Sequence, residues 1–424
     1  MSGVAAPAAV PPVPRTVAPL PPVGRAFVAR YALAYMSTSL VLVAPLLVTL
    51  ALKVESLVGK TRAPRDLALV AGAGAVVAMF GNPLVGKLSD RTTSRLGMRR
   101  PWMLVGLAGG TGGVLLVALA PNVALVLIGW CIAQVFFNAL LASLAAVLPD
   151  QVPAAQRGLV SGVLGVCLPV AAVSGTLLVS LFAGSQLAMF LAPCVVGAIF
   201  ILLFTSRLAD RQLTSPGPAW SLRDVARTFV LAPRTSPDFS WAFASRFLFV
   251  SAYALLVTYQ AYFLRDQIGM AKHDVPHVIF LGTAAQAIIA IAASLLGGRL
   301  SDRTGRRKGF VAAASMTYGA ALLVVATAST TGGYIAGMAL SGLGFGTYMA
   351  VDLALVADVL PDADSTAKDL GILNIAGALP FFVAPAVAPA VLALGGGSYR
   401  VLYAFAGACA LLGAAAIVPV KGVR

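Results

Sequence analysis

Twelve stretches of this chain stay predominantly apolar for 20 residues or more, and that feature fixes the solvent in which it folds. They cover residues 27–52, 66–88, 101–120, 123–148, 157–182, 186–206, 241–264, 276–297, 310–329, 333–360, 369–394 and 399–419. A helix needs about 20 apolar residues to cross a bilayer. The blocks do not alternate between apolar and polar residues, so helices are predicted rather than barrel strands. Composition agrees, with 59% hydrophobic and 11% charged residues, against roughly 45–50% and 25% in soluble domains. A soluble enzyme and a disordered chain are both excluded. The reading is an all-α membrane protein with twelve transmembrane helices.

The net charge of +15 would point to nucleic acid in a soluble chain. Here the basic residues sit in short loops between apolar blocks, so no nucleic-acid partner is expected. With the N-terminus placed in the cytoplasm, 22 of the 30 Lys and Arg fall on the inner side and 7 on the outer. That bias sets orientation by the positive-inside rule. Both termini are expected to be cytoplasmic, in a plasma or inner membrane. The seven prolines between Pro7 and Pro22 predict an extended tail over 1–26 rather than a leader. Cys131, Cys167, Cys194 and Cys409 lie inside apolar blocks with no metal spacing and read as buried free thiols.

The chain repeats itself. Gly86-Lys87-Leu88-Ser89-Asp90-Arg91-Thr92 recurs as Gly298-Arg299-Leu300-Ser301-Asp302-Arg303-Thr304, 212 residues on. Val147-Leu148-Pro149-Asp150 recurs as Val359-Leu360-Pro361-Asp362 at the same offset, and Ala29-Arg30-Tyr31 matches Ser245-Arg246-Phe247 at 216. Because 212 residues span an even number of helices, the copies face the same side. Two parallel, pseudo-symmetric six-helix halves are predicted over 27–206 and 241–420. The central loop, 207–240, joins them, with a short amphipathic helix expected from Ser221 to Phe229.

Each Gly-x-x-x-Asp-Arg-Thr copy marks a tight turn between helices. Gly97 and Gly305 permit positive φ, and Gly86 and Gly298 are expected to let neighbouring helices approach closely. Asp90 and Asp302 end helices beside Arg91, Arg99, Arg100, Arg303, Arg306 and Arg307. Such an acid pairs with an arginine or faces a helix N-terminus in the opposite half, forming a cytoplasmic latch. The bland alternative, basic residues that only obey the positive-inside rule, leaves the duplicated order unexplained.

These loops resemble the loop between helices two and three of the major facilitator superfamily, with its Gly-x-Leu-x-Asp-Arg-x-Gly-Arg-Arg pattern. The longer first copy, Asn82-Pro83 through Arg99-Arg100-Pro101-Trp102, is similar to the glycoside–pentoside–hexuronide and sucrose-type symporters. The resemblance implies the major facilitator fold around a central cavity, and rocking of one half against the other. Two departures count. Asn82 and Ala78 stand where melibiose-type sodium carriers have acids, which argues against sodium coupling. Helix five reads Gly165-Val166-Cys167-Leu168-Pro169-Val170 and lacks the Gly-Pro-x-x-Gly-Gly run of drug exporters.

Ionisable groups within spans cost about 2.5–3.5 kcal/mol each on insertion scales, so they need a partner or a task. Asp352 lies in the tenth span, roughly 13 Å of helix from Pro361, and is the candidate proton carrier. Its alternative is a structural ion pair. Arg246, Tyr253 and Gln260 are spaced by seven and share one face, as do Gln134 and Asn138. These five are candidate cavity residues, or else interhelical hydrogen-bonding groups. Arg30 and Arg246 stand at equivalent helix starts, where snorkelling to the surface is expected. Pro45, Pro169, Pro193, Pro380, Pro385 and Pro389 are expected to break or bend their spans.

Nothing points to an enzyme, a cofactor or a metal. His273 and His277 flank Pro276, and Gly342-x-Gly344-x-Gly346 lies in an apolar span with no strand before it. The expected function is secondary transport of a small organic solute by a monomer. Proton-coupled symport of a sugar or glycoside is the first reading, and proton-driven efflux of a drug or metabolite the alternative.

Overall fold

The computed structural model describes residues 21–213, 237–358 and 375–420. Eleven helical segments among the described residues are long and apolar enough to cross a membrane. The first, Arg25–Ser89, is 65 residues long, which would be about 98 Å if straight. That is three times the hydrocarbon thickness of a bilayer, so the segment must double back. It comprises α1 (Arg25–Ala44), a π-helical turn opened by Pro45 (Pro45–Thr49) and α2 (Leu50–Ser89). Gly59 breaks α2 with φ of 73°, which only glycine adopts cheaply. Contacts on either side of the break show the reversal. Tyr31 donates to the Leu144 carbonyl at 2.7 Å, and Asp90 reaches the same end of that neighbouring helix through Arg99 and Asp150.

The other helices are α3 (Arg100–Leu119), α4 (Val123–Gln151), α5 (Ala154–Leu181), α6 (Gln186–Arg207), α7 (Pro237–Tyr262), α8 (Val275–Thr304), α9 (Arg307–Thr327), α10 (Thr331–Asp358), α11 (Pro380–Leu394) and α12 (Tyr399–Ala416). A second π turn, Phe263–Gln267, follows α7. Asn122 caps α4 by accepting from the Leu125 amide at 3.0 Å. Gly305, with φ of 63°, closes α8 as a left-handed cap.

One packing scheme occurs twice. In the first half, α2 and α3 pack on α4, and α1 on α5 and α6; in the second, α8 and α9 pack on α10, and α7 on α11 and α12. Across the halves, α2 meets α11 and α5 meets α8. The repeat read from the sequence is thus visible as repeated helix neighbours.

Three expectations change. The segment from Lys53 to Arg65 is helical apart from Gly59, not a loop. Lys53 is buried at 5% exposure and donates to the Ala118 carbonyl at 2.8 Å. There it caps the C-terminus of α3, where spare carbonyls favour a cation. Close helix approach is not made by Gly86, which has open space where a Cβ would stand, and Gly298 meets only Ala350 at 3.7 Å. Gly342 and Gly346 provide it instead, against the backbone of Gln286 and Ala290 in α8. The tail before Pro21, the helix expected from Ser221 to Phe229, and the second Val-Leu-Pro-Asp copy lie outside the described residues.

A Cβ at Gly346 would overlap the Ala290 carbonyl, whereas one at Gly112 would meet nothing. Gly346→Ala is expected to cost about 1–3 kcal/mol by overpacking. Gly112→Ala should stay within about 0.5 kcal/mol of the parent. Thermal unfolding of the detergent-purified variants compares them, and equal midpoints would refute the close α8–α10 approach.

Candidate functional site

The basic loop between α2 and α3 is built around one arginine. Arg99 is buried at 5% exposure. Its guanidinium reaches Asp90 at 2.7 Å and Asp150 at 2.9 Å, and donates to the Ser89 hydroxyl at 2.8 Å. It thereby ties the end of α2, the start of α3 and the end of α4. Asp210, just beyond α6, accepts from the Arg99 and Arg100 amides at 2.7 and 2.8 Å. A carboxylate here meets the free amides and positive dipole end of α3. Gly97 has φ of 106°, and a Cβ on it would overlap Asp210. The Trp102 indole donates to Thr92 at 2.7 Å, and Gln212 to the Arg95 carbonyl at 2.7 Å.

Asp90 therefore pairs with an arginine of its own half. Asp150 and Asp210 complete the brace, and sequence reading assigned neither a role. Asp150 carried a signal, as the last residue of a duplicated motif. Asp210 carried none. The second loop is shorter, with Gly305 and Arg306 alone joining α8 to α9. Arg303 and Arg306 are exposed. Lys308 donates to the carbonyls of Val418 and Val420, capping the end of α12. The side chain of Asp302 is outside what the structure describes.

At the opposite end the two halves are stitched together. Tyr262 donates to the Ala51 carbonyl at 3.0 Å, Tyr259 to Pro64 at 3.3 Å and Gln260 to Leu47 at 3.2 Å. Arg265, buried at 7% exposure, pairs with Glu55 of the first half and with Asp266 at 2.8 Å. Lys60 lies 3.4 Å from Asp266. Both π turns sit in this seam, at corresponding ends of α1 and α7. Gln260 is thus occupied, since it also accepts from Tyr334 at 2.9 Å, and its amide does not open onto a cavity.

Between the halves lies a cavity of about 160 Å³, lined by Leu46, Ala71, Ala75, Ala78, Trp130, Gln134, Ala378 and Phe381. Asn138 is buried behind it and donates to Gln134. The Tyr253 ring stands edge-on to Phe381 at 6.1 Å.

Arg246 and Asp352 form an ion pair linking α7 to α10. Asp352 is 4% exposed, and Arg246 Nε has no hydrogen-bond partner among the described residues. A Cβ added to Gly377, whose neighbour Ala378 lines the cavity, would stand 3.8 Å from the Arg246 guanidinium. Arg246 therefore does not snorkel; Arg30, its repeat equivalent, is half-buried and donates to the Ala26 carbonyl of its own helix.

The sequence profile of the Major Facilitator Superfamily matches residues 26–284 and again 275–422. The chain belongs to the major facilitator superfamily. A solved structure of the nucleoside transporter NupG superposes on this major facilitator protein with a TM-score of 0.75, covering 93% of this chain and 99% of that one at 13% identity. That likeness concerns the fold. A multidrug transporter of the superfamily from Aspergillus fumigatus, mfsC, is 30% identical over 116 residues. The match spans 27% of this chain and about a fifth (21%) of that protein. This is a multi-pass membrane transporter, not an enzyme.

Removing the Arg99 guanidinium strands two carboxylates and a hydroxyl at once. Arg99→Leu is expected to lower stability by about 2–3 kcal/mol, the range for charged hydrogen bonds. Arg99→Lys should recover less than half, because one ammonium cannot span the same fork. Denaturation midpoints of the three proteins test this, and a full rescue by lysine would refute the forked brace.

Proposed function

We propose that this transporter is a proton-coupled carrier of a small organic solute, working by alternating access. Asp352 is its proton acceptor and Arg246 the internal counter-ion. The observation that carries this is the Arg246–Asp352 pair, with Arg246 facing the space beside Gly377, the residue before the cavity-lining Ala378. A carboxylate in such a site is retained only with a cation or a proton beside it. Protonation of Asp352 frees the guanidinium of Arg246, whose Nε already lacks a partner. A released Arg246 turns toward Gly377 and the cavity, and the α7–α10 link loosens. The two halves then have one arrangement with the pair closed and another with it open.

In this reading the structure is the state closed at the outer face, with the basic loops in the cytoplasm. The seam from Tyr259 to Asp266 supports it, as do the unfilled positions beside Gly81, Gly86, Gly158, Gly162 and Gly165 on the basic-end halves of α2 and α5.

The cavity walls favour a weakly polar solute. Alanine, leucine and aromatic side chains surround a single amide, Gln134, whereas a sugar requires many directed hydrogen bonds. Efflux of a drug or metabolite fits these walls. Sugar symport is kept as a second reading because of the loop pattern from Asn82 to Trp102.

A thermal-stability screen across sugars, organic acids and antibiotics supplies the solute. In proteoliposomes under an imposed pH gradient, Asp352→Asn is expected to cut proton-driven transport of that solute about 100-fold, the scale of one essential proton-transfer group. Solute exchange at equal pH should persist. Proton-driven transport at the parent rate would overturn the assignment.

A further inference from the structure

At the outer end, away from the ion pair and the central cavity, a second cavity of about 420 Å³ lies across the junction of the two halves. Its first-half wall includes Thr49, Ser56 and Gln186, and its second-half wall Lys272 and His273. Thr49 is 1% exposed, yet its hydroxyl has no hydrogen-bond partner among the described residues. A buried hydroxyl beside a cavity and without a partner is an unmet hydrogen bond. Behind Gln186 stands Lys53, whose ammonium is 3.4 Å from the Gln186 amide oxygen. Lys53 is buried, and among the described residues it bonds the Ala118 carbonyl and that amide.

The nearby acids are already committed. Glu55 and Asp266 hold Arg265, and Asp274 lies 3.3 Å from His273. Lys272 has no carboxylate partner among the described residues. Partial burial, and then Arg265, push its ammonium below the usual lysine range. The wall therefore offers one lysine without a carboxylate partner, the unpartnered Thr49 hydroxyl, and the Ser56 hydroxyl and Gln186 amide, which already bond each other at 3.4 Å.

We propose that this outer cavity binds a small hydroxylated carboxylate, with Lys272 on the carboxylate and Thr49, Ser56 and Gln186 on the hydroxyl groups. Charge-assisted bonds of this kind discriminate strongly against a neutral isostere. The site needs both halves, since its cation at the rim and its vacant hydroxyl come from different repeats.

The test compares D-gluconate with sorbitol, which has the same carbon count and no carboxylate. Each is titrated against the purified full chain, and the thermal midpoint is followed. Gluconate should raise the midpoint of the parent saturably, and sorbitol should not. Lys272→Gln should weaken the apparent affinity about tenfold or more, the equivalent of one charged hydrogen bond. Thr49→Val should weaken it about threefold or more, and Lys272→Arg should retain it. Lys60→Gln, a lysine of the same face outside the cavity, should bind like the parent. The site is refuted by equal effects of gluconate and sorbitol, by no shift in the parent, or by an unchanged titration of Lys272→Gln. None of these outcomes bears on Asp352, so the two assignments fail separately.

Discussion

Charge in a lipid-embedded chain has to be neutralised locally, and the structure is organised around three arginines for which that is done. Arg99 sits between Asp90 and Asp150, Arg246 against Asp352, and Arg265 between Glu55 and Asp266. Arg246 and Arg265 join helices distant in sequence, and Arg99 ties three consecutive ones. The rest of the packing comes from small residues at close crossings, which supply van der Waals contact without directionality. Apolar contact between lipid-facing helices brings no hydrophobic gain, so the arginine pairs and backbone stitches fix which surfaces meet.

The three sites differ in ways that the duplication alone would not produce. Arg99 braces a ten-residue connection in the first half, and the second half has only two residues at that place. Arg246 corresponds to Arg30 in the repeat, yet Arg30 bonds a backbone carbonyl of its own helix instead of an acid. The residue 212 before Asp352 is Leu140, fully buried in the core. The buried acid–base pair therefore belongs to one half alone. Duplication supplies two similar bundles, and the asymmetric substitutions place a buried ion pair in one of them alone.

Spans, repeat and positive-φ glycines were legible because they are local. A run of apolar residues, a duplicated string and a glycine between charged residues each carry their meaning within a few positions. Partners were not legible. Asp352 stood out as costly, but nothing near it in sequence named Arg246, 106 residues away. Asp210 reaches the start of α3 across 110 positions. Lys53 and Arg265 read as ordinary loop charges, because the sequence does not show that a helix C-terminus and a glutamate await them. Gly86 misled for a related reason. Its motif is shared with tight crossings, but which helix stands opposite depends on the arrangement of the two halves.

On the proposed alternating-access cycle with the basic loops in the cytoplasm, the seam at the opposite end is the outer closure that must open. Its hydrogen bonds run from Tyr259, Gln260 and Tyr262 to backbone carbonyls, and interhelical bonds of this type average about 0.6 kcal/mol each. Three of them amount to about 2 kcal/mol. The Arg265–Glu55 pair adds to this but can be exchanged for hydration once the outer face opens. Moving a population from 1:99 to 99:1 takes about 5.5 kcal/mol of differential binding. A micromolar solute contributes about 8 kcal/mol in total, so a fraction of its binding energy is of the right size to reverse the balance. A seam made of one large apolar interface would be too costly to open on each cycle. One made of backbone stitches and a few ion pairs suits the proposed cycle, being strong enough to close that end and weak enough to release it.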